Sequence, residues 1–174
     1  MPRVLVCGCS GSGKSTFASK LGRLLGLTPV VLDAYFWQPG WVESNHADFC
    51  ARVAPVIEQE EWILDGNYFN SLGDLHLTRA THVFYFDLST LRCMTSVLGR
   101  TLRGYGKTRP EMAPGCPERF DVAFLEYVWA YRKKHRPRIL QRFATLRPEQ
   151  KLVMFQSRLE ADKALARIAR EGLS

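Results

Sequence analysis

Val4-Leu5-Val6-Cys7-Gly8-Cys9-Ser10-Gly11-Ser12-Gly13-Lys14-Ser15-Thr16 is the stretch on which the reading of this chain turns. Gly8 to Ser15 match G-x-x-x-x-G-K-[ST] in full. The apolar run Val4 to Cys7 leads in as a strand, and Phe17, Leu21, Leu24 and Leu25 lead out with helical spacing. Glycines let the backbone curl so that successive N–H groups point inward at phosphate oxygens. The following helix adds partial positive charge at its N-terminus. A Gly/Ser turn between strand and helix is the plain alternative, and it leaves the full motif unexplained. The loop Gly8, Cys9, Ser10, Gly11, Ser12, Gly13, Lys14, Ser15 and Thr16 is therefore expected to bind a nucleoside triphosphate. Lys14 should reach the β- and γ-phosphates, and Ser15 should ligate Mg²⁺.

Working outward, strand and helix patterns alternate, as in a parallel sheet covered on both faces. Pro29 to Asp33, Trp62 to Gly66, His82 to Asp87 and Lys151 to Phe155 read as further strands. Gly26 reads as a helix C-cap, Ser89 as an N-cap, and Pro55 as a kink or early stop in the helix carrying Phe49, Val53 and Ile57. A helix from about Asp121 to His135 should break at Pro137, and Leu159 to Ala169 should close the chain as an amphipathic helix. Between Gly104 and Glu118 lie three glycines and three prolines, a long connection of the kind used as a lid.

The 174 residues suit one domain, 1–174, and no apolar run reaches the length of a membrane span. Strand structure begins almost at once, so a cytoplasmic protein without a signal peptide is expected. Five cysteines with no C-x-x-C pair and no Cys/His zinc spacing fit a reducing compartment and no structural metal; Cys9 reads as an inert small residue. Residues 92–147 hold 13 Lys/Arg and 4 Asp/Glu, while the whole chain is +7, so the positive excess sits in one third of the chain. That implies an anionic partner there, either a nucleotide or DNA.

Phosphoryl transfer needs positioning, Mg²⁺ and positive charge around the transferred group. Asp65, at the end of an apolar strand, is favoured as a metal ligand over a turn residue; Asp87 is favoured as a helix start. Asp33 could take a proton from an acceptor hydroxyl, help hold metal, or merely begin a turn. Arg100, Arg103 and Arg109, with Lys107, straddle the lid and are candidates for stabilising charge on the phosphoryl group. Arg132 to Arg138 read mainly as a solvated helix face. Tyr35, Phe36, Trp37 and Trp41 could stack on a base or sugar, with core packing the preferred alternative. The four histidines show no ligand spacing. A GTPase would need D-x-x-G and N-K-x-D, and a motor ATPase a strand ending Asp-Glu; none is present.

Several stretches together resemble the FlaR-related family of DNA topology modulation proteins, adenylate-kinase-like P-loop proteins. They are the loop itself, Leu32-Asp33 with Phe36-Trp37 and Pro39-Gly40-Trp41, and Trp62 to Tyr68. Gly106 to Ala113, Gly115 to Phe120, Trp129 and Tyr131 to Arg138 complete the set. The resemblance implies a three-layer P-loop NTPase fold with a five-stranded parallel sheet in order 2-3-1-4-5. It implies ATP as the nucleotide, a lid at about 104–119, and an acceptor region at about 34–60. It points to an ATP-dependent kinase for a small acceptor, a nucleoside or nucleotide. Two departures bear on the acceptor: Asp65-Gly66-Asn67-Tyr68-Phe69 lacks the arginine that grips an acceptor phosphate in adenylate kinases, and no arginine follows Asp33 until Arg52. The alternatives are an ATP-gated DNA-binding protein and a hydroxyl kinase of the shikimate or gluconate type, although the glycine triplet of shikimate kinases is absent.

Overall fold

The computed structural model describes residues 1–173. Strand β1 (Arg3–Gly8) runs into the glycine loop and helix α1 (Lys14–Leu25). β2 (Val30–Val31) passes at once into α2 (Leu32–Phe36), followed by β3 (Trp37–Gln38), β4 (Val42–Glu43) and α3 (His46–Glu58). β5 (Trp62–Asp65), α4 (Phe69–Leu72), α5 (Leu75–Arg79) and β6 (His82–Phe86) come next. The chain continues through α6 (Thr90–Gly104), α7 (Val122–Lys134), α8 (Arg136–Phe143), β7 (Lys151–Phe155) and α9 (Arg158–Glu171).

The main sheet has five parallel strands in the order β2-β5-β1-β6-β7. With the separate β3–β4 hairpin left out of the count, this is the expected 2-3-1-4-5 order. Val4, Leu5, Val6 and Cys7 are all fully buried, though neighbouring side chains on a strand point to opposite faces. Both faces of the central strand are therefore covered, as the unbroken apolar run implied. Phe17 of α1 packs against Phe84 and Phe155, tying the first helix to β6 and β7. Among the described residues, no helix is long and apolar enough to cross a membrane.

Local signals held where they rest on backbone chemistry. Gly26 adopts φ 70 at the end of α1, and Ser89 accepts the N–H of Arg92. Pro137 lies in the first turn of α8, immediately after α7 has ended. The helix around Pro55 neither stops nor shortens there; it continues to Glu58. The second strand is much shorter than expected. It ends at Val31, and Asp33 sits in the first turn of α2 instead of on the strand. Only Val30 and Val31 find partners, Leu64 and Asp65, on the neighbouring strand.

Candidate functional site

The C-terminal ends of β1, β2, β5 and β6 share one edge of the sheet, because all four strands run parallel. A cleft of about 1100 Å³ opens there. Gly8, Ser10, Gly11, Gly13, Lys14, Ser15 and Thr16 line it, whereas Cys9 and Ser12 of the same loop are buried and do not. Gly11 has φ 79, and a Cβ there would lie 2.5 Å from the Cys93 carbonyl, so the loop can bend against α6 only with glycine. Arg158 of α9 donates to the carbonyls of Gly11 (2.7 Å) and Ser12 (3.2 Å), which satisfies those two acceptors on the far side of the loop's bend.

Asn67 fixes the entrance to the loop. Its side-chain oxygen accepts the Gly8 N–H (2.9 Å) and its amide donates to the Gly8 carbonyl (3.1 Å). The Asn67 carbonyl in turn lies 2.8 Å from Nε2 of fully buried His76. Burial lowers the His76 pKa to about 4, so a neutral ring donates this hydrogen bond.

Asp65 is 1% exposed and lies 3.9 Å from the Lys14 ammonium. Burial pushes its carboxyl above the usual range, against the pull of Lys14, Ser15 and Arg109. Neither carboxylate oxygen has a well-formed hydrogen bond. A buried acid left short of partners beside a serine hydroxyl suits a hydrated divalent cation. Among the described residues no group of three or more His, Cys, Asp and Glu could hold a metal by itself. A cation here would share Ser15 and Asp65 with phosphate oxygens and water.

Asp33 also lines the cleft and accepts a 2.7 Å hydrogen bond from the Tyr68 hydroxyl. Tyr68 holds φ 35, an uncommon conformation for a bulky residue, as it enters α4. Trp37, Trp41, Glu43, Tyr68 and Asn70 form the wall on that side. The aromatic patch thus divides: Phe36 packs edge-on against Phe49 in the core, while Trp37 and Trp41 face the cleft.

Arg100, Arg103 and Arg109 all line the cleft. Arg100 of α6 and Arg109 of the 105–118 segment share one oxygen of Glu118, at 3.2 and 2.6 Å. Burial and the neighbouring Arg109 charge lower the Arg100 pKa, opposed by Glu118 and, more weakly, Asp33. The same segment is clasped to the β3–β4 hairpin. Gly40 N–H donates to the Gly115 carbonyl (2.7 Å), and Trp41 Nε1 donates to the Pro117 carbonyl (2.8 Å).

Asp87 receives two 2.7 Å hydrogen bonds from Arg136, with Arg132 at 3.7 Å. Arg142 pairs with Asp74, Arg119 with Asp121 and Arg147 with Glu149. Seven of the 13 basic residues in 92–147 therefore have an acid partner within the chain. Asn67, Tyr68, Glu118 and Arg158 were assigned no role from sequence. A lone acid between Pro117 and Arg119 in a basic segment was the available signal for Glu118.

No protein-family model matches the chain, and no curated protein matches it in sequence. Solved structures do. A candidate kinase from Chloroflexus aurantiacus is 16% identical over 99% of both chains, with a TM-score of 0.55. The two share a fold. An unliganded sugar kinase from a Janibacter species is 16% identical over 94% of this chain and 90% of that one, with a TM-score of 0.46. A Thermus thermophilus protein is 16% identical over 98% and 97%, with a TM-score of 0.49.

Proposed function

We propose that this chain is an ATP-dependent phosphotransferase that moves the γ-phosphoryl group of ATP to a hydroxyl on a small acceptor, with Mg²⁺. One observation carries the reading: Lys14, Asp33, Arg100 and Arg109 line a single cleft at the strand ends. The kinase designation of the Chloroflexus aurantiacus protein, which shares the fold, agrees with it.

The loop N–H groups and Lys14 hold the β- and γ-phosphates. Mg²⁺, held through Ser15 and Asp65, would neutralise charge on those phosphates. Asp33, oriented by Tyr68, takes the proton of the acceptor hydroxyl. The acceptor oxygen bonds to the γ-phosphorus as the bond to the β,γ-bridging oxygen breaks, and ADP leaves with that electron pair. Arg100 and Arg109 stabilise the charge on the transferring group.

The acceptor wall of Trp37, Trp41, Tyr68 and Asn70 offers aromatic faces and an amide, which suits a nucleoside or another polyhydroxylated molecule. Transfer of labelled γ-phosphate from ATP to a panel of nucleosides, nucleoside monophosphates and small polyols tests the reading. Label should appear in at least one acceptor and vanish with Lys14→Ala. Saturable MgATP binding without transfer to any of them would sink it.

A further inference from the structure

Glu118 is the most enclosed acid of the 105–118 segment, 4% exposed, and its two roles are separable. Its backbone closes the neck of the segment: Gly106 N–H donates to its carbonyl (2.9 Å) and its own N–H donates to the Lys107 carbonyl (3.0 Å). Its carboxylate does something the neck does not require. One oxygen lies at ion-pair distance from both Arg100 Nε (3.2 Å) and Arg109 Nε (2.6 Å), and the other accepts the Thr101 hydroxyl (3.2 Å). Arg109 touches one further acid, the more exposed Glu111, at 3.2 Å.

Two guanidinium groups this close repel unless a charge stands between them. Arg100 comes from a helix and Arg109 from the segment that follows it, and Glu118 is the acid that both of them reach. Arg100 and Arg109 line the same cleft as Lys14 and Asp33, which on the kinase reading is where the phosphoryl group is transferred.

We infer that Glu118 is a positioning residue: its carboxylate holds Arg100 and Arg109 as one preassembled guanidinium pair that grips the phosphoryl group in transit. This rests on the kinase reading. Preassembly matters because donors already in place need no reorganisation when charge develops. The backbone bonds at the neck survive any change of side chain at 118. A merely structural carboxylate would therefore affect every ligand alike, whereas a positioning one would affect chiefly the phosphoryl in flight.

Calorimetry with MgADP alone and with MgADP plus aluminium fluoride, a mimic of the transferring group, separates these cases without knowledge of the acceptor. The parent should bind the aluminium fluoride complex more tightly than MgADP. Glu118→Gln should weaken the aluminium fluoride complex at least ~10-fold and MgADP less than ~3-fold. Glu118→Asp, which keeps the charge, should fall between, and it serves if the glutamine variant does not fold. In an Arg109→Ala background, Glu118→Gln should cost little more. Equal losses for both ligands, an undiminished loss in the Arg109→Ala background, or a parent that gains nothing from aluminium fluoride would overturn the inference alone. A parent that binds no MgADP would overturn the kinase reading with it.

Discussion

The Tyr68 hydroxyl donates a 2.7 Å hydrogen bond to Asp33, joining the residue after Asn67 to the first turn of α2. The tyrosine is largely enclosed, and burial with the Asp33 charge pushes its phenol pKa up, so it stays protonated and remains a donor. Asp33→Asn should lower transfer to any acceptor by ~100-fold or more, the usual scale for losing a general base. Tyr68→Phe should cost less, about 10-fold in turnover and roughly 1 kcal/mol in stability. On the kinase reading, dissociation constants for MgATP should change less than about threefold in both, because neither side chain belongs to the glycine loop. Steady-state rates with separate nucleotide titrations decide the matter.

Lys14 is the one cation within 4 Å of the buried Asp65 carboxylate among the described residues. Lys14→Ala should abolish transfer, and it should also destabilise the protein, by roughly 1–3 kcal/mol, by leaving a buried charge uncompensated. Adding Asp65→Asn should recover most of that stability and none of the activity. Thermal unfolding of the single and double variants is the measurement. A double variant no more stable than Lys14→Ala would contradict the pairing.

Asn67 grips Gly8 through both ends of its amide. Asn67→Ala should weaken MgATP binding by about 10-fold, the scale of one or two hydrogen bonds. Asn67→Asp keeps the acceptor for the Gly8 N–H but sets an anion against the Gly8 carbonyl, so it should bind MgATP no better than the alanine variant. Calorimetric titration separates the two.

His76 and Asp65 give opposite slopes of stability with pH. The His76 pKa falls to about 4 on folding, so stability is full above its unfolded value of 6.5 and drains away as pH falls from 6.5 towards 4. The loss amounts to about 3 kcal/mol at 1.36 kcal/mol per pKa unit. The Asp65 carboxyl is raised from 3.8, so its cost is absent below that pH and grows as pH rises through the folded value. Urea titrations at several pH values should show a shallower acid loss for His76→Gln and a steeper one for Asp65→Asn.

Trp41 ties the hairpin to the 105–118 segment by donating to Pro117. Trp41→Phe keeps an aromatic wall but removes the donor. Amide exchange across residues 106–118 should quicken by about 5- to 10-fold, the equivalent of roughly 1 kcal/mol, while β1 and β6 keep their protection.

What the sequence made legible followed from short-range chemistry. The glycine loop, the apolar strands and the caps at Gly26 and Ser89 each depend on a few adjacent residues. The length of the second strand did not, because it depends on what β5 offers as a partner, and Asp33 moved into a helix as a result. Arg100 and Arg109 were found as a cluster of like charge, but their shared anchor lies across a fold in the lid. Asn67 and Tyr68 follow Asp65-Gly66 with nothing local to mark a role. Their partners, Gly8 and Asp33, are 59 and 35 residues away, and no periodicity reports contacts of that kind. The basic segment promised a field for a polyanion, and pairings such as Arg136 with Asp87 reduce it.

Arg158 closes over the carbonyls of Gly11 and Ser12 from 147 and 146 residues further along the chain. On the ribosome, the glycine loop is therefore made well before its cover. Until α9 emerges, those two carbonyls lack that partner. A nascent chain arrested short of α9 would thus carry the glycine loop without that cover.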